Sequence, residues 1–126
     1  MQSSTKILIV DDDRTNLKFM QEILEDDFQL QCVRTGEEAL EVFQEFNPDI
    51  ILLDVMLPGI DGYRVCQLIR EDKLFRGVKI ILISAKAMLN EKQRGYKSGA
   101  DDYITKPFDH EYLLMKIESL LNKKIE

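Results

Sequence analysis

The chain has 126 residues, 44% of them hydrophobic and 32% charged, with a net charge of −6. That length fits one domain, about residues 6–121 within 1–126, whose core is large enough to stand without disulfide or metal staples. The acidic balance argues against a nucleic-acid surface, and no apolar run approaches the ~20 residues of a membrane span. Cys32 and Cys66 stand at neither metal nor redox spacing and read as two buried thiols of a cytoplasmic protein. Residues 1–5 hold no apolar signal-peptide core.

Lys6 to Val10 is a short apolar run that reads as a buried strand, ending in Asp11-Asp12-Asp13. Asp13 is placed to cap a helix whose apolar positions Leu17, Met20, Ile23 and Leu24 recur at helical spacing. Gln29 to Val33 alternates polar and apolar, as a strand near a sheet edge does. Thr35 and Glu38 have the spacing of a capping box for a second helix that buries Ala39, Leu40 and Phe43. Asn47-Pro48 then turns the chain into Ile50-Ile51-Leu52-Leu53-Asp54. Four large apolar residues in succession suit a central strand covered on both faces, and Pro58 and Gly59 stop it soon after.

Asp61 is placed to cap a third helix with Val65, Cys66, Leu68 and Ile69 inward. Leu74 and Phe75 read as tucked inward ahead of Gly77. Val78 to Ile83 is the next strand, and it ends at Ser84-Ala85-Lys86. The polar segment Leu89 to Ser98 predicts a helix with Leu89 and Tyr96 inward and a stop at Ser98-Gly99. Asp102-Tyr103-Ile104 is a very short strand followed by Lys106-Pro107. Asp109 then caps a last helix carrying Leu113, Met115, Ile117, Leu120 and Leu121. Five β-then-α units imply an α/β fold, a parallel sheet with right-handed crossovers and helices on both faces.

Parallel strands share a carboxyl end. Asp11 and Asp12, Asp54, Ser84 and Lys106 should therefore gather at one edge of the sheet, where open α/β sheets place their chemistry. Any one carboxylate after a strand is ordinarily a cap or a solvated loop residue; the coincidence of five polar positions points to a site. Two carboxylates about 4 Å apart repel by roughly 4 kcal/mol at an effective dielectric near 20. A hard divalent cation, Mg²⁺ or Mn²⁺, relieves that repulsion. Carboxylate, metal, hydroxyl and lysine together form a set suited to phosphoryl transfer. His110, the only histidine, opens the last helix and reads as solvated.

Four motifs carry a resemblance: Ile-Leu-Ile-Val-Asp-Asp-Asp, Asp-Ile-Ile-Leu-Leu-Asp-Val-Met-Leu-Pro-Gly-Ile-Asp-Gly, Ile-Ile-Leu-Ile-Ser-Ala and Tyr-Ile-Thr-Lys-Pro-Phe. In this order and spacing the chain resembles a receiver domain of bacterial two-component response regulators, over about Lys6 to Leu121. The resemblance implies a doubly wound, flavodoxin-like five-stranded sheet of order 2-1-3-4-5. It implies a phosphorylatable switch rather than an enzyme. Asp54 resembles the phosphoacceptor, supplied by a sensor histidine kinase or histidine phosphotransfer protein. Asp11, Asp12, Asp54 and the backbone carbonyl of Met56 resemble the Mg²⁺ ligands. Ser84 resembles the switch hydroxyl, Lys106 the lysine that pairs with the phosphoryl group, and Tyr103 the aromatic switch that turns inward when the hydroxyl moves. Pro107 matches a position that is usually a cis proline, and Met56 and Lys86 match positions that tune the lifetime of the phosphoryl group. The readout implied is the face of the fourth helix, fifth strand and fifth helix, acting on a downstream output protein or domain. A stand-alone receiver and one cut from a longer regulator or hybrid kinase are both compatible with the sequence.

Two other classes compete. Asp11-Asp12-Asp13-Arg14-Thr15 also fits the nucleophile loop of haloacid-dehalogenase-type phosphatases. Those enzymes need an acidic pair after the lysine, whereas Asp101-Asp102 precedes Lys106. The other class is a phosphate-independent scaffold, which the intact Asp54, Ser84 and Lys106 disfavour.

Overall fold

The computed structural model describes residues 4–75 and 77–125. Among these residues ten principal elements alternate: β1 (Lys6–Val10), α1 (Arg14–Leu24), β2 (Gln29–Val33), α2 (Gly36–Phe46), β3 (Ile50–Asp54), α3 (Gly62–Glu71), β4 (Lys79–Ser84), α4 (Leu89–Lys97), β5 (Asp102–Thr105) and α5 (His110–Ile125). The five strands form one parallel sheet in the order β2-β1-β3-β4-β5.

The apolar strands divide the core by alternation. Leu8, Val10, Ile51, Leu53, Ile80 and Leu82 face α2 and α3, whereas Ile7, Ile9, Ile50, Leu52, Ile81 and Ile83 face α1 and α5. Covering the sheet on both faces is what leaves β1, β3 and β4 with no polar position in their interiors. The helix starts follow the capping residues. Asp13 accepts from the Thr15 and Asn16 backbone N–H, Thr35 from Glu38, Asp61 from Arg64 and Asp109 from Tyr112. The Glu38 carboxylate reaches back to the N–H of Arg34, one residue earlier than a reciprocal capping box would have it. Asn47 ends α2 in the left-handed region at φ 52°.

The amino end of the sheet is stitched by side chains. Asp49 accepts the Lys6 N–H on its carboxylate, donates its own N–H to the Lys6 carbonyl and accepts from Lys79 on its carbonyl. Asp101 accepts the Ile80 N–H at 2.8 Å and the Arg70 guanidinium at 2.7 Å. Arg70 donates further to the carbonyls of Val78 and Gly99.

Several inward assignments are corrected. Leu89 is 71% exposed and Tyr96 50% exposed. The only buried residue of α4 is Gly95, so this helix meets the body through backbone and polar groups and turns its large apolar side chains out. Leu74 is 79% exposed, because the 3-10 turn Lys73–Phe75 directs only Phe75 inward, edge-on to Phe43. Met115 is exposed, Leu68 is half-buried, and Cys32 on edge strand β2 is only half-buried, whereas Cys66 lies in the core.

Candidate functional site at the carboxyl edge of the sheet

Strand register builds the site. β1 and β3 pair Val10 with Leu53, so Asp11 and Asp54, the next residues, emerge side by side. β4 and β5 pair Ser84 with Thr105, which brings Lys106 to the same edge. The Lys106 N–H also bonds the Ser84 carbonyl at 2.8 Å. The Lys106–Pro107 peptide is cis.

Asp11 is 1% exposed and Asp54 5% exposed. The Lys106 ammonium lies 3.2 Å from Asp11 Oδ2 and 3.3 Å from Asp54 Oδ2. The remaining oxygens are held by the backbone: Asp11 Oδ1 accepts from Asp13 N–H and Asp54 Oδ1 from Met56 N–H. Asp12 is exposed, and its carbonyl accepts from Arg34. Asp11, Asp12 and Asp54 each offer a carboxylate oxygen within 4.8 Å of the others.

One ammonium does not neutralise this group. Burial, followed by the Asp11 charge, raises the Asp54 carboxyl from the ordinary 3.8 to about 6, against the opposing pull of Lys106 and the Met56 N–H. Burial disfavours the Lys106 ammonium, yet Asp54 and Asp11 outweigh it and hold its pKa above the ordinary lysine value. A buried carboxylate cluster with this much uncompensated charge, made only of oxygen donors and open through exposed Asp12, suits a hard divalent cation.

Ser84 is buried at the end of β4, and its Oγ accepts from the Lys86 N–H at 3.0 Å. The Tyr103 ring lies inward, with its hydroxyl donating to the Lys86 carbonyl at 2.9 Å. Met56, whose N–H bonds Asp54, and Lys86 are exposed, and the Lys86 ammonium is 4.0 Å from Glu91. Asp13 is engaged as the α1 cap, and His110 is exposed at the start of α5.

Two residues near the site escaped sequence reasoning. Tyr63 is 2% exposed, and its hydroxyl donates to Glu91 Oε2 at 2.8 Å. Burial first, then the Tyr103 hydroxyl and the Glu91 carboxylate, push the Tyr63 phenol above its ordinary pKa. Helical spacing carried a signal for Tyr63, which falls three residues before Cys66 and six before Ile69. Nothing in the sequence pairs it with Glu91.

The chain is similar to known proteins over most of its length. The family model of the response regulator receiver domain covers residues 7–118. The chain is 36% identical over 117 residues to the heme response regulator HssR of Staphylococcus epidermidis, covering 92% of this chain and 51% of that protein. It is 40% identical over 124 residues to the transcriptional regulatory protein CseB of Streptomyces coelicolor, covering 98% and 52%. The chain thus spans about half the length of these curated relatives. Among solved structures, the BeF3-activated receiver domain of DrrB, from Thermotoga maritima, superposes with a TM-score of 0.87 at 35% identity, covering 95% of this chain and 99% of that one.

Proposed function

The chain belongs to the response regulator receiver domain family, and on that premise we propose that Asp54 accepts a phosphoryl group from a phosphohistidine donor, a sensor histidine kinase or a histidine phosphotransfer protein. The observation that carries this reading is the arrangement of Asp54. Its carboxylate ends a central strand, with one oxygen held by the Met56 N–H and the other facing Lys106 and the neighbouring acidic pair.

An Asp54 carboxylate oxygen forms the new bond to phosphorus while the bond from phosphorus to the donor nitrogen breaks, and that electron pair stays with the imidazole. Asp11, Asp12, Asp54 and the Met56 carbonyl would hold Mg²⁺, which when bound supplies positive charge to the phosphoryl oxygens. The Lys106 ammonium, already between Asp11 and Asp54, is within reach of the same charge. The Ser84 hydroxyl leaves the Lys86 N–H to bond a phosphoryl oxygen, which favours the inward position that the Tyr103 ring already holds. The new charge-assisted bonds bias a two-state equilibrium by their differential strength. The outcome is a changed surface on α4, β5 and α5, read by a downstream protein or output domain. Met56 and Lys86, both exposed, would tune access of water to the acyl phosphate.

In the phosphatase reading Asp11 would be the nucleophile and Asp13 the acid/base, and against it Asp13 Oδ1 is engaged with the α1 backbone as a cap. Intact mass after incubation with acetyl phosphate tests the proposal. One adduct of a single phosphoryl group is expected, dependent on Mg²⁺ and absent from Asp54→Asn. An adduct retained in Asp54→Asn refutes the acceptor assignment, and steady turnover of a generic phosphate ester would restore the phosphatase.

A further inference from the structure

Helix α4 has an unusual way of staying attached. Its only buried residue is Gly95, and Met88, Leu89 and Tyr96 are turned out. Apolar packing therefore contributes little to its position. Polar ties from α3 take over. The buried Tyr63 hydroxyl meets the α4 residue Glu91 twice, at Oε2 (2.8 Å) and at the carbonyl oxygen (3.2 Å). The Arg94 guanidinium stacks 4.3 Å above the Tyr63 ring and lies 3.9 Å from Asp61 Oδ2. Lys86, in the loop that enters α4, is 4.0 Å from the other Glu91 oxygen.

The Tyr103 ring lies under the same stretch of helix. A Cβ placed on Gly95 would stand 3.0 Å from that ring and 3.0 Å from Leu82, so the absence of a side chain at 95 is what admits the ring. Mid-helix glycine is ordinarily unfavourable by about 1 kcal/mol relative to alanine. Ring, loop and helix thus form one assembly: Tyr103 bonds the Lys86 carbonyl, Lys86 approaches Glu91, and Glu91 is bonded by Tyr63.

We propose that the Tyr63 hydroxyl is a positioning group of the switch, latching α4 through Glu91 in the place that accommodates the inward Tyr103 ring. The inference rests on the reading of Tyr103 as the switch aromatic and extends it to a residue on a different helix. Tyr63 touches neither the acceptor nor the acidic cluster; its hydroxyl meets α4 at Glu91 and the switch ring at the Tyr103 hydroxyl. If the inward state of Tyr103 is also the state favoured by the phosphoryl group, the latch and the phosphoryl group stabilise the same conformer. Breaking the latch then weakens binding of a phosphoryl analogue at a distance.

The test uses the whole chain, with beryllofluoride as the probe at fixed Mg²⁺, in wild type, Tyr63→Phe, Glu91→Ala and the double variant. Tyr63→Phe keeps the ring beneath Arg94 and removes only the hydroxyl. One hydrogen bond predicts beryllofluoride affinity weaker by about twofold to tenfold. Glu91→Ala should fall in the same range, and the double variant no further than the single ones. Amide exchange in α4 should accelerate by a similar factor while β1 and β3 stay as in wild type. The acetyl phosphate adduct on Asp54 should still form in Tyr63→Phe. Unchanged beryllofluoride affinity together with unchanged α4 exchange overturns the latch, as do strictly additive effects. Should wild type take neither beryllofluoride nor a phosphoryl group, the acceptor reading fails by itself, and α4 exchange in Tyr63→Phe still decides the latch.

Discussion

Asp54→Asn should make the metal-free fold more stable near neutral pH. Raising the Asp54 carboxyl from 3.8 to about 6 means that the folded state disfavours its charged form by about 3 kcal/mol, at 1.36 kcal/mol per tenfold change in proton affinity. The sign follows from proton binding. Between pH 4 and 6 the folded chain holds the Asp54 proton more tightly than the unfolded chain, so this group makes stability fall as pH rises. The penalty is absent below pH 4 and complete above pH 6. Asparagine keeps an acceptor for the Met56 N–H and never charges. The expected gain is therefore up to about 3 kcal/mol at pH 7, shrinking toward zero near pH 4. At roughly 3–5 °C per kcal/mol for a domain of this size, the melting temperature should rise by about 10 °C. Urea unfolding of both proteins in EDTA, at pH 7 and pH 4.5, measures the difference. A variant no more stable than wild type at pH 7, or a gain that does not shrink on acidification, would refute the electrostatic account of the site.

Millimolar Mg²⁺ should raise the wild-type melting temperature, by about 1.4 kcal/mol of stability at ten times its dissociation constant; a thermal scan of Asp12→Asn that responds as strongly as wild type removes Asp12 from the ligand set. Lys106→Ala should still take a phosphoryl group but leave the amide NMR peaks of α4 and β5 near their unphosphorylated positions, and a full wild-type shift counts against the lysine's role. Gly95→Ala should lower stability by about 1–2 kcal/mol, because crowding of Tyr103 and Leu82 exceeds the ~1 kcal/mol that alanine adds in a helix. A net rise in its melting temperature would show that the ring has another place to go.

The sheet and the acidic site were legible because both depend on features that sequence carries directly. Unbroken apolar runs such as Ile50–Leu53 identify strands covered on two faces, and parallel strands deliver Asp11, Asp54, Ser84 and Lys106 to one edge without further information. The caps at Asp13, Thr35, Asp61 and Asp109 were legible for the same reason, since each is satisfied within its own turn. α4 was read less well. A helix docked by Gly95 and by polar bonds from α3 has no apolar stripe, so the sequence offers only Leu89 and Tyr96 as inward positions, and both lie outside. The Tyr63–Glu91 bond joins residues 28 apart and is chemically unremarkable in sequence; only the packing of α3 against α4 reveals it.

The stitching at the amino end of the sheet has a mechanical consequence. Asp49 ties β1, β3 and β4 together there, and Asp101 with Arg70 ties β4 to α3 and to the turn before β5. At the opposite end the like charges of Asp11, Asp12 and Asp54 push apart, and the β4–α4 loop rests on single hydrogen bonds. The molecule is thus clamped at its base and sprung at its rim. On the proposed function, a chemical event at the rim would meet strands whose feet are pinned, and its work would go into the rim loops and the helix hung from them. A rigid base of this kind would let the proposed change of a few atoms at one carboxylate be felt as a displacement of surface on the flank.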